Sequence, residues 1–301
     1  MSIVADIKFP SFRSAAAQER FDRAYEAALA AWPVSHQPAQ LQTGLGPTSG
    51  IASGAPEAPP LILLPSFSGT ALFWAPNVAA LSAHYRVYAV DVIGQPGRSL
   101  ALRKIKSRDE FAGWLIEVMD GLGVRRAALI GSSFGAFLAM NVAIAEPERV
   151  ERLILIGPAG VFRKMSLPVV LRLITGGLRR SLHSKLGVRP PRSEALFSRK
   201  VNPPPPNDPW RQLMDVILEE RPKVSLISPT VFTKAELASV KARTLLLVGQ
   251  HEQLSAAEAT IEKARLLKPD IVAEVVQGAD HLASITAAQE VTERSLRFLT
   301  T

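Results

Sequence analysis

The chain has 301 residues, 47% of them hydrophobic and 21% charged, a balance that can bury a full core in one large or two modest domains and excludes a disordered polypeptide. It contains no cysteine, which excludes a disulfide framework, a thiolate nucleophile and any Cys-ligated zinc or iron–sulfur cluster. The net charge of +8 is localised: residues 158–236 hold 14 basic side chains against 6 acidic ones, so the whole excess belongs to that segment.

A solvated basic helical face accounts for such a segment, as does a face that attracts anionic substrates or an anionic membrane surface. Nucleic acid is not an expected partner, because the basic residues are not interleaved with aromatics and form no recognisable module. No stretch approaches the ~18 uninterrupted apolar residues of a transmembrane segment; Leu167 to Leu178 is broken by Arg172 and by Gly176-Gly177. The opening Met1-Ser-Ile-Val-Ala-Asp-Ile-Lys8 has an early acid and no long apolar core. It does not read as a secretory signal, and a cytoplasmic protein is expected.

In chain order, residues 14–32 place Phe21, Tyr25, Leu29 and Trp32 on one face of an amphipathic helix. Gln40 to Pro60, rich in Gly, Pro and Ser, reads as a loop or at best a poor edge hairpin. Leu61–Leu64 is a continuous apolar run of the kind found in a strand covered on both faces, and Arg86–Val92 is a second strand. Ser107-Arg-Asp-Glu110 has the capping-box pattern and opens a helix that buries Phe111, Trp114, Leu115, Val118, Met119 and Leu122. Ala127–Ile130 is a third strand, Phe134–Ala145 a helix stopped by Pro147, and Val150–Ile156 a fourth strand. Thr244–Val248 and Ile271–Val276 are two more, each followed by a helix.

Strands alternating with helices of this length predict βαβ units and a doubly wound, mostly parallel α/β sheet. The alternation stops at Gly157 and resumes at Thr244. The intervening stretch includes the Pro-rich run Asn202–Asn207, and it reads as an inserted helical cap. The expected organisation is a core over 1–157 and 237–301 interrupted by a cap over 158–236. The cap is also the segment that carries the charge.

One pentapeptide directs the chemistry. Gly131-Ser132-Ser133-Phe134-Gly135 is G-x-S-x-G, directly after one strand and directly before a helix. A sharp strand-to-helix turn forces its central serine into a strained conformation and presents the hydroxyl at the sheet edge and helix N-terminus, while the glycines remove side chains that would clash. Ser133 is therefore the expected nucleophile. A serine hydroxyl needs a base, and of His36, His84, His183, His251 and His281 only His281 follows the last strand, where the order serine, acid, histidine places it. The acid belongs on the loop after the preceding strand, and Glu252 is the carboxylate of Leu247–Gln253. Asp280 is its rival, but it adjoins His281 in sequence and is poorly placed to reach that residue's Nδ1. Acyl transfer also needs an oxyanion hole. The Phe134 N–H supplies one donor, and the loop Pro65-Ser66-Phe67-Ser68-Gly69 supplies the other, with the Phe67 N–H the choice. Phe67, Phe73, Trp74 and Phe137 fall near the expected pocket mouth, where they would line an acyl site or join the core.

With these residues in place, the sequence resembles the α/β-hydrolase carboxylesterases, and within them the naproxen-esterase group of bacterial enzymes. The likeness runs through Leu29-Ala-Ala-Trp-Pro-Val34, Ile51-Ala-Ser-Gly54, His84–Gly94, Pro96-Gly-Arg-Ser99, Pro147-Glu-Arg-Val150, Val231–Leu237 and Gly249-Gln-His-Glu252. It implies an α/β-hydrolase fold, a glutamate in place of the commoner aspartate as triad acid, and hydrolysis of carboxylic esters through an acyl-serine, with no cofactor and no metal. It is weakest over the cap. Where the family carries His-Gly in the oxyanion loop, this chain has Pro65-Ser66; a glycine there permits a backbone path that serine adopts less readily, so Ser66 or Ser68 is a candidate hydroxyl donor, or the loop is remodelled. Gln95 occupies a variable step of the family and carries no reading.

The resulting expectation is a serine esterase acting on a small-molecule ester, with carboxylate-bearing esters favoured by the basic cap. A lactonase, carbon–carbon bond hydrolase or acyltransferase would use the same triad, and a non-catalytic ligand-binding protein of this fold is the reading from another class. Oligomeric state is not readable from the sequence.

Overall fold

The computed structural model describes residues 8–164 and 193–301. Among them the strands are β1 (His36–Thr43), β2 (Gly46–Ser53), β3 (Pro60–Leu64), β4 (Arg86–Val90), β5 (Ala127–Ser132), β6 (Val150–Ile156), β7 (Arg243–His251) and β8 (Val272–Asp280). They form one sheet in the order β1-β2-β4-β3-β5-β6-β7-β8. Strands β3 to β8 pair in parallel, and β1 and β2 join one edge antiparallel. The helices are α1 (Ala15–Ala30), α2 (Ala75–Ser82), α3 (Arg108–Gly121), α4 (Phe134–Ala145), α5 (Pro209–Glu220), α6 (Lys234–Ser239), α7 (Ala257–Leu267), α8 (Ala283–Thr286) and α9 (Ala288–Leu299).

Strand β3 shows how the sheet is covered. Side chains alternate across a strand, so Leu61 and Leu63 enter the core shared with α1, α2, α5 and α9, while Ile62 and Leu64 enter the core shared with α3, α4 and α7. Both faces are dry, which is why the strand reads as an uninterrupted apolar run.

Of the two readings of Gln40–Pro60, the edge hairpin is the one that forms, followed by a loop over 54–59. Residues His36–Thr43 pair one-to-one with Gly46–Ser53, and β2 pairs again with β4. Its polar composition has a physical explanation. Thr48 and Ser53 are buried at 3% and 1% exposure because their hydroxyls accept indole N–H bonds, Thr48 from Trp114 (2.8 Å) and Ser53 from Trp32 (3.1 Å). The start of α3 also departs from the capping-box expectation. Ser107 Oγ accepts the Glu110 N–H (3.2 Å), but the Glu110 carboxylate takes the N–H of Lys106 (2.6 Å) instead of that of Ser107. A reciprocal box is found at α6, between Thr233 and Glu236.

Of the expected cap, residues 165–192 lie outside the described residues, as does His183. The remainder is joined to the core at several points. Trp210 on α5 meets the Phe73 ring at 6.0 Å, Phe232 meets Phe137 at 5.5 Å, and the buried Glu220 carboxylate is held by Arg13 (3.0 Å) and Arg20 of the N-terminal region. Among the described residues, no helix is long and apolar enough to cross a membrane.

Asp91, which follows β4, anchors the loop that leads from β3 toward α2. Its carboxylate is fully buried and accepts the Ala71 N–H (2.7 Å), the Arg98 N–H (2.7 Å) and the Tyr25 hydroxyl (3.0 Å). Burial raises its pKa despite these donors, and burial together with the Asp91 charge holds the Tyr25 hydroxyl well above its ordinary value, so that Tyr25 remains a donor. Tyr25→Phe removes one hydrogen bond to a buried carboxylate and is expected to cost about 1.5–3 kcal/mol. The measurement is urea denaturation, with a lower midpoint and an unchanged slope; an unchanged midpoint would show that this bond contributes nothing.

Candidate active site

Strand β5 delivers Ser133 to the N-terminus of α4 with φ 52° and ψ −109°, a region that costs a non-glycine residue about 1–3 kcal/mol. Three backbone bonds impose it: the Ser133 N–H donates to Ile156 O (2.8 Å), and its carbonyl accepts from Phe137 N–H (3.2 Å) and Ala159 N–H (3.3 Å). The flanking glycines are required sterically. A Cβ at Gly131 would stand 2.4 Å from the Gly135 carbonyl, and one at Gly135 would stand 2.2 Å from Leu64 O and 2.6 Å from Pro65 O. The second clash shows how closely the chain leaving β3 approaches the first turn of α4.

The turn aims Ser133 Oγ at Nε2 of His281, 2.8 Å away. Nδ1 of the same ring faces both carboxylate oxygens of Glu252, at 2.8 and 3.0 Å. Glu252 Oε1 also accepts the N–H groups of Gln253 (2.7 Å) and Leu254 (2.9 Å). With the ring proton on Nδ1 toward the carboxylate, Nε2 is left to accept the serine O–H. Burial alone would push the Glu252 carboxyl up. The His281 charge and hydrogen bond, together with the two backbone N–H groups, outweigh burial and hold it below its ordinary value. Burial would likewise lower His281, but the Glu252 charge and hydrogen bond, then the Asp280 charge, raise its pKa above 6.5. The arrangement is a hydroxyl joined to a base of raised affinity for protons, which can move a proton off Ser133 and return it.

The loop after β3 makes a turn in which the Gly69 N–H donates to Ser66 O (2.8 Å). The left-handed residue of this loop is Ser68, with φ 60°. Ser66, which replaces the family's glycine, therefore carries no left-handed strain. Gln95, to which the sequence assigned nothing, accepts the Ser68 N–H at a long 3.4 Å and donates to Ser225 O at 2.7 Å. Among the described residues, the N–H groups of Phe67 and Phe134 donate to no protein acceptor, and the two rings meet edge-on at 6.3 Å.

Of the expected pocket residues, Phe67 is 42% exposed, whereas Phe73, Trp74 and Phe137 are fully buried. Ser66 and Ser68 are half-buried on the turn. Phe137 stacks on Phe134 at 6.1 Å and also borders a cavity of about 570 Å³ lined by Lys104, Lys106, Arg108, Ile105 and Leu226. Gly157 is a site residue that sequence reasoning passed over. Its φ is +50°, and a Cβ there would meet Glu252 Oε2 at 3.0 Å and His281 Nδ1 at 3.3 Å, so a side chain would wedge into the acid–base pair. Its signal was a glycine at the end of β6, next to the strand that carries the elbow. Among the described residues, no group of three or more His, Asp or Glu side chains could hold a metal ion.

The chain belongs to the alpha/beta hydrolase family, whose sequence model matches residues 61–294. Within that family, two relatives at 35% and 32% identity are named carboxylesterases. It is 35% identical to carboxylesterase YbfK of Bacillus subtilis over 285 residues, 93% of each chain. The crystal structure of that carboxylesterase superposes with a TM-score of 0.82 at 33% identity, covering 94% of this chain and 98% of the other. The naproxen esterase of B. subtilis superposes with a TM-score of 0.81 at 29% identity, covering 95% and 99%.

The strain at Ser133 can be isolated. Ser133→Ala and Ser133→Gly both lose the bond to His281, but only glycine relieves the backbone. Ser133→Gly is expected to be more stable than Ser133→Ala by about 1 kcal/mol, after glycine's own entropic cost. Equal thermal midpoints for the two variants would show that the elbow stores no strain.

Proposed function

We propose that the chain is a serine carboxylesterase whose triad is Ser133, His281 and Glu252. Ser133 Oγ attacks the ester carbonyl carbon while His281 Nε2 takes its proton, and Glu252 accepts the Nδ1–H and stabilises the imidazolium that forms. The backbone N–H groups of Phe134 and Phe67 bind the oxyanion, where each such donor is worth about 3–4 kcal/mol. The collapsing intermediate expels the alkoxide, which takes the proton from His281. Water, deprotonated by the same base, then attacks the acyl-serine and releases the carboxylic acid.

The observation that carries this reading is the unbroken chain Ser133 Oγ, His281 Nε2, His281 Nδ1 and Glu252 at 2.8 Å per link. The long relationship to carboxylesterases supports the substrate class. We read 158–236 as the cap insert of this hydrolase. A carboxylate on the substrate fits the net positive charge of residues 158–236.

Hydrolysis of short p-nitrophenyl esters tests the triad. Ser133→Ala and His281→Ala are each expected to lower kcat by about 10⁶-fold, and Glu252→Gln by about 10⁴-fold. Activity retained in either of the first two would overturn the mechanism. The pH profile gives a sharper test. His281 must be neutral to act as base, and its pKa is raised, so the acid limb of kcat/KM is expected to lie above pH 6.5. In Glu252→Gln the charge that raises it is gone and burial dominates, so that limb moves to lower pH.

Charge at the cap has its own readout. An ester carrying a carboxylate should associate faster than its neutral analogue at low salt, and the advantage should shrink as salt is added. Equal salt response for the two esters would remove the anionic preference.

A further inference from the structure

Asp280, the last residue of β8, is fully buried beside His281. Its Oδ1 accepts the Leu282 N–H (2.9 Å) and the Thr286 hydroxyl (3.0 Å), which fixes the turn that carries His281 into α8. Its Oδ2 accepts the N–H of Ser198 at 2.8 Å, a residue 82 positions earlier in the insert. A second link runs in parallel. The amide of Gln253, adjacent to Glu252, oriented with its nitrogen toward Leu196, donates to Leu196 O (3.3 Å) and accepts from Ser198 N–H (3.2 Å). The stretch Leu196–Ser198 is thus bonded to the neighbour of each member of the imidazole–carboxylate pair. Phe197 between them is buried and packs on the Trp210 ring at 6.4 Å.

A carboxylate taken out of water needs its donors, and one of the donors here belongs to the insert. Lifting Leu196–Ser198 leaves Oδ2 short of a partner and loosens the turn that aims the imidazole. We propose that Asp280 is a positioning residue that couples the seating of the insert at Leu196–Ser198 to the orientation of His281. The proposal rests on the reading of Ser133, His281 and Glu252 as the catalytic set, and it gives the insert a role in catalysis besides covering the site.

The charged groups facing His281 are Glu252, from the loop after β7, and Asp280, from its own strand; α4 presents the Ser133 hydroxyl, and the loop after β6 presents Gly157. Removing the Asp280 charge therefore changes proton affinity as well as position. A merely structural residue would change stability alone.

The test is the pH dependence of Ser133 labelling by a fluorophosphonate on the full chain, in which Oγ bonds to phosphorus and fluoride leaves. Asp280→Asn removes the charge; with its oxygen kept as acceptor for Leu282 and Thr286, its amide N–H faces the Ser198 N–H and that bond is lost. The plateau labelling rate is expected to fall about tenfold, with the acid limb displaced to lower pH. Ser198→Pro removes the insert's N–H and leaves the charge; it is expected to slow labelling by about threefold or more with the acid limb in place. Asp280→Asn within about twofold of wild type and with the same limb overturns the coupling. Ser198→Pro at the wild-type rate likewise overturns it, whether or not Asp280→Asn folds. A wild-type chain that takes no label overturns the reading of Ser133 as nucleophile, and the coupling with it.

Discussion

The backbone of Ser133 is the constraint on which the remaining site geometry depends. Its φ of 52° is not a conformation that serine adopts on its own account. It persists because β6 takes its N–H at Ile156 and the first turn of α4 takes its carbonyl. Gly131 and Gly135 make room for the crossing of β5, α4 and the chain leaving β3. Once that turn is imposed, two consequences follow without further contacts: the hydroxyl stands clear of the helix and faces His281, and the Phe134 N–H is left without an intrahelical acceptor.

Electrostatics then determines what the hydroxyl can do. Glu252 and His281 are both largely removed from water, with side chains 3% and 13% exposed. Burial by itself would neutralise both groups. Their shifts run the other way because each is the other's main counter-charge, and because the β7 loop adds two N–H donors behind the carboxylate. At Gly157 a Cβ would crowd both members of the pair, at 3.0 Å from Glu252 Oε2 and 3.3 Å from His281 Nδ1, in a left-handed conformation that strains any side chain. The strands bring these groups together through register alone: β6 sits between β5 and β7, and β7 pairs with β8. The ends of these parallel strands therefore bring Ser133, Glu252 and His281 to one edge.

That edge was legible in the sequence because its signals are local. Ala127–Ile130 followed by G-x-S-x-G, and Glu252 and His281 each close behind an apolar run, are readings that need no distant information. The same holds for α4, whose ends fall where the apolar run and Pro147 place them. The β1–β2 hairpin was read poorly because its burial is satisfied by hydroxyls accepting from Trp32 and Trp114, and periodicity of apolar residues does not register such partners. Gln95 and Asp280 were undervalued for a related reason. Their partners Ser225 and Ser198 lie 130 and 82 positions away, and a long-range hydrogen bond leaves no mark on local composition.

Pro65-Ser66, in place of the family's His-Gly, puts no left-handed residue at position 66. A glycine is needed only where a loop passes through left-handed space, and here that residue is Ser68. The strain of this loop lies at Ser68, and its restraints lie on either side: the Gly69 N–H closes the turn onto Ser66, and Gln95 spans from Ser68 to Ser225. Ser225 in turn is fastened to Gly94 and, through its hydroxyl, to Ile105. The loop after β3 is thus held from outside, through Gln95, by the segment around Ser225. Ser198 and Ser225 thus carry hydrogen bonds to Asp280, beside His281, and to Gln95, beside the loop after β3. A change at either serine therefore acts on the turn before His281 or on the loop after β3, and not on the insert alone.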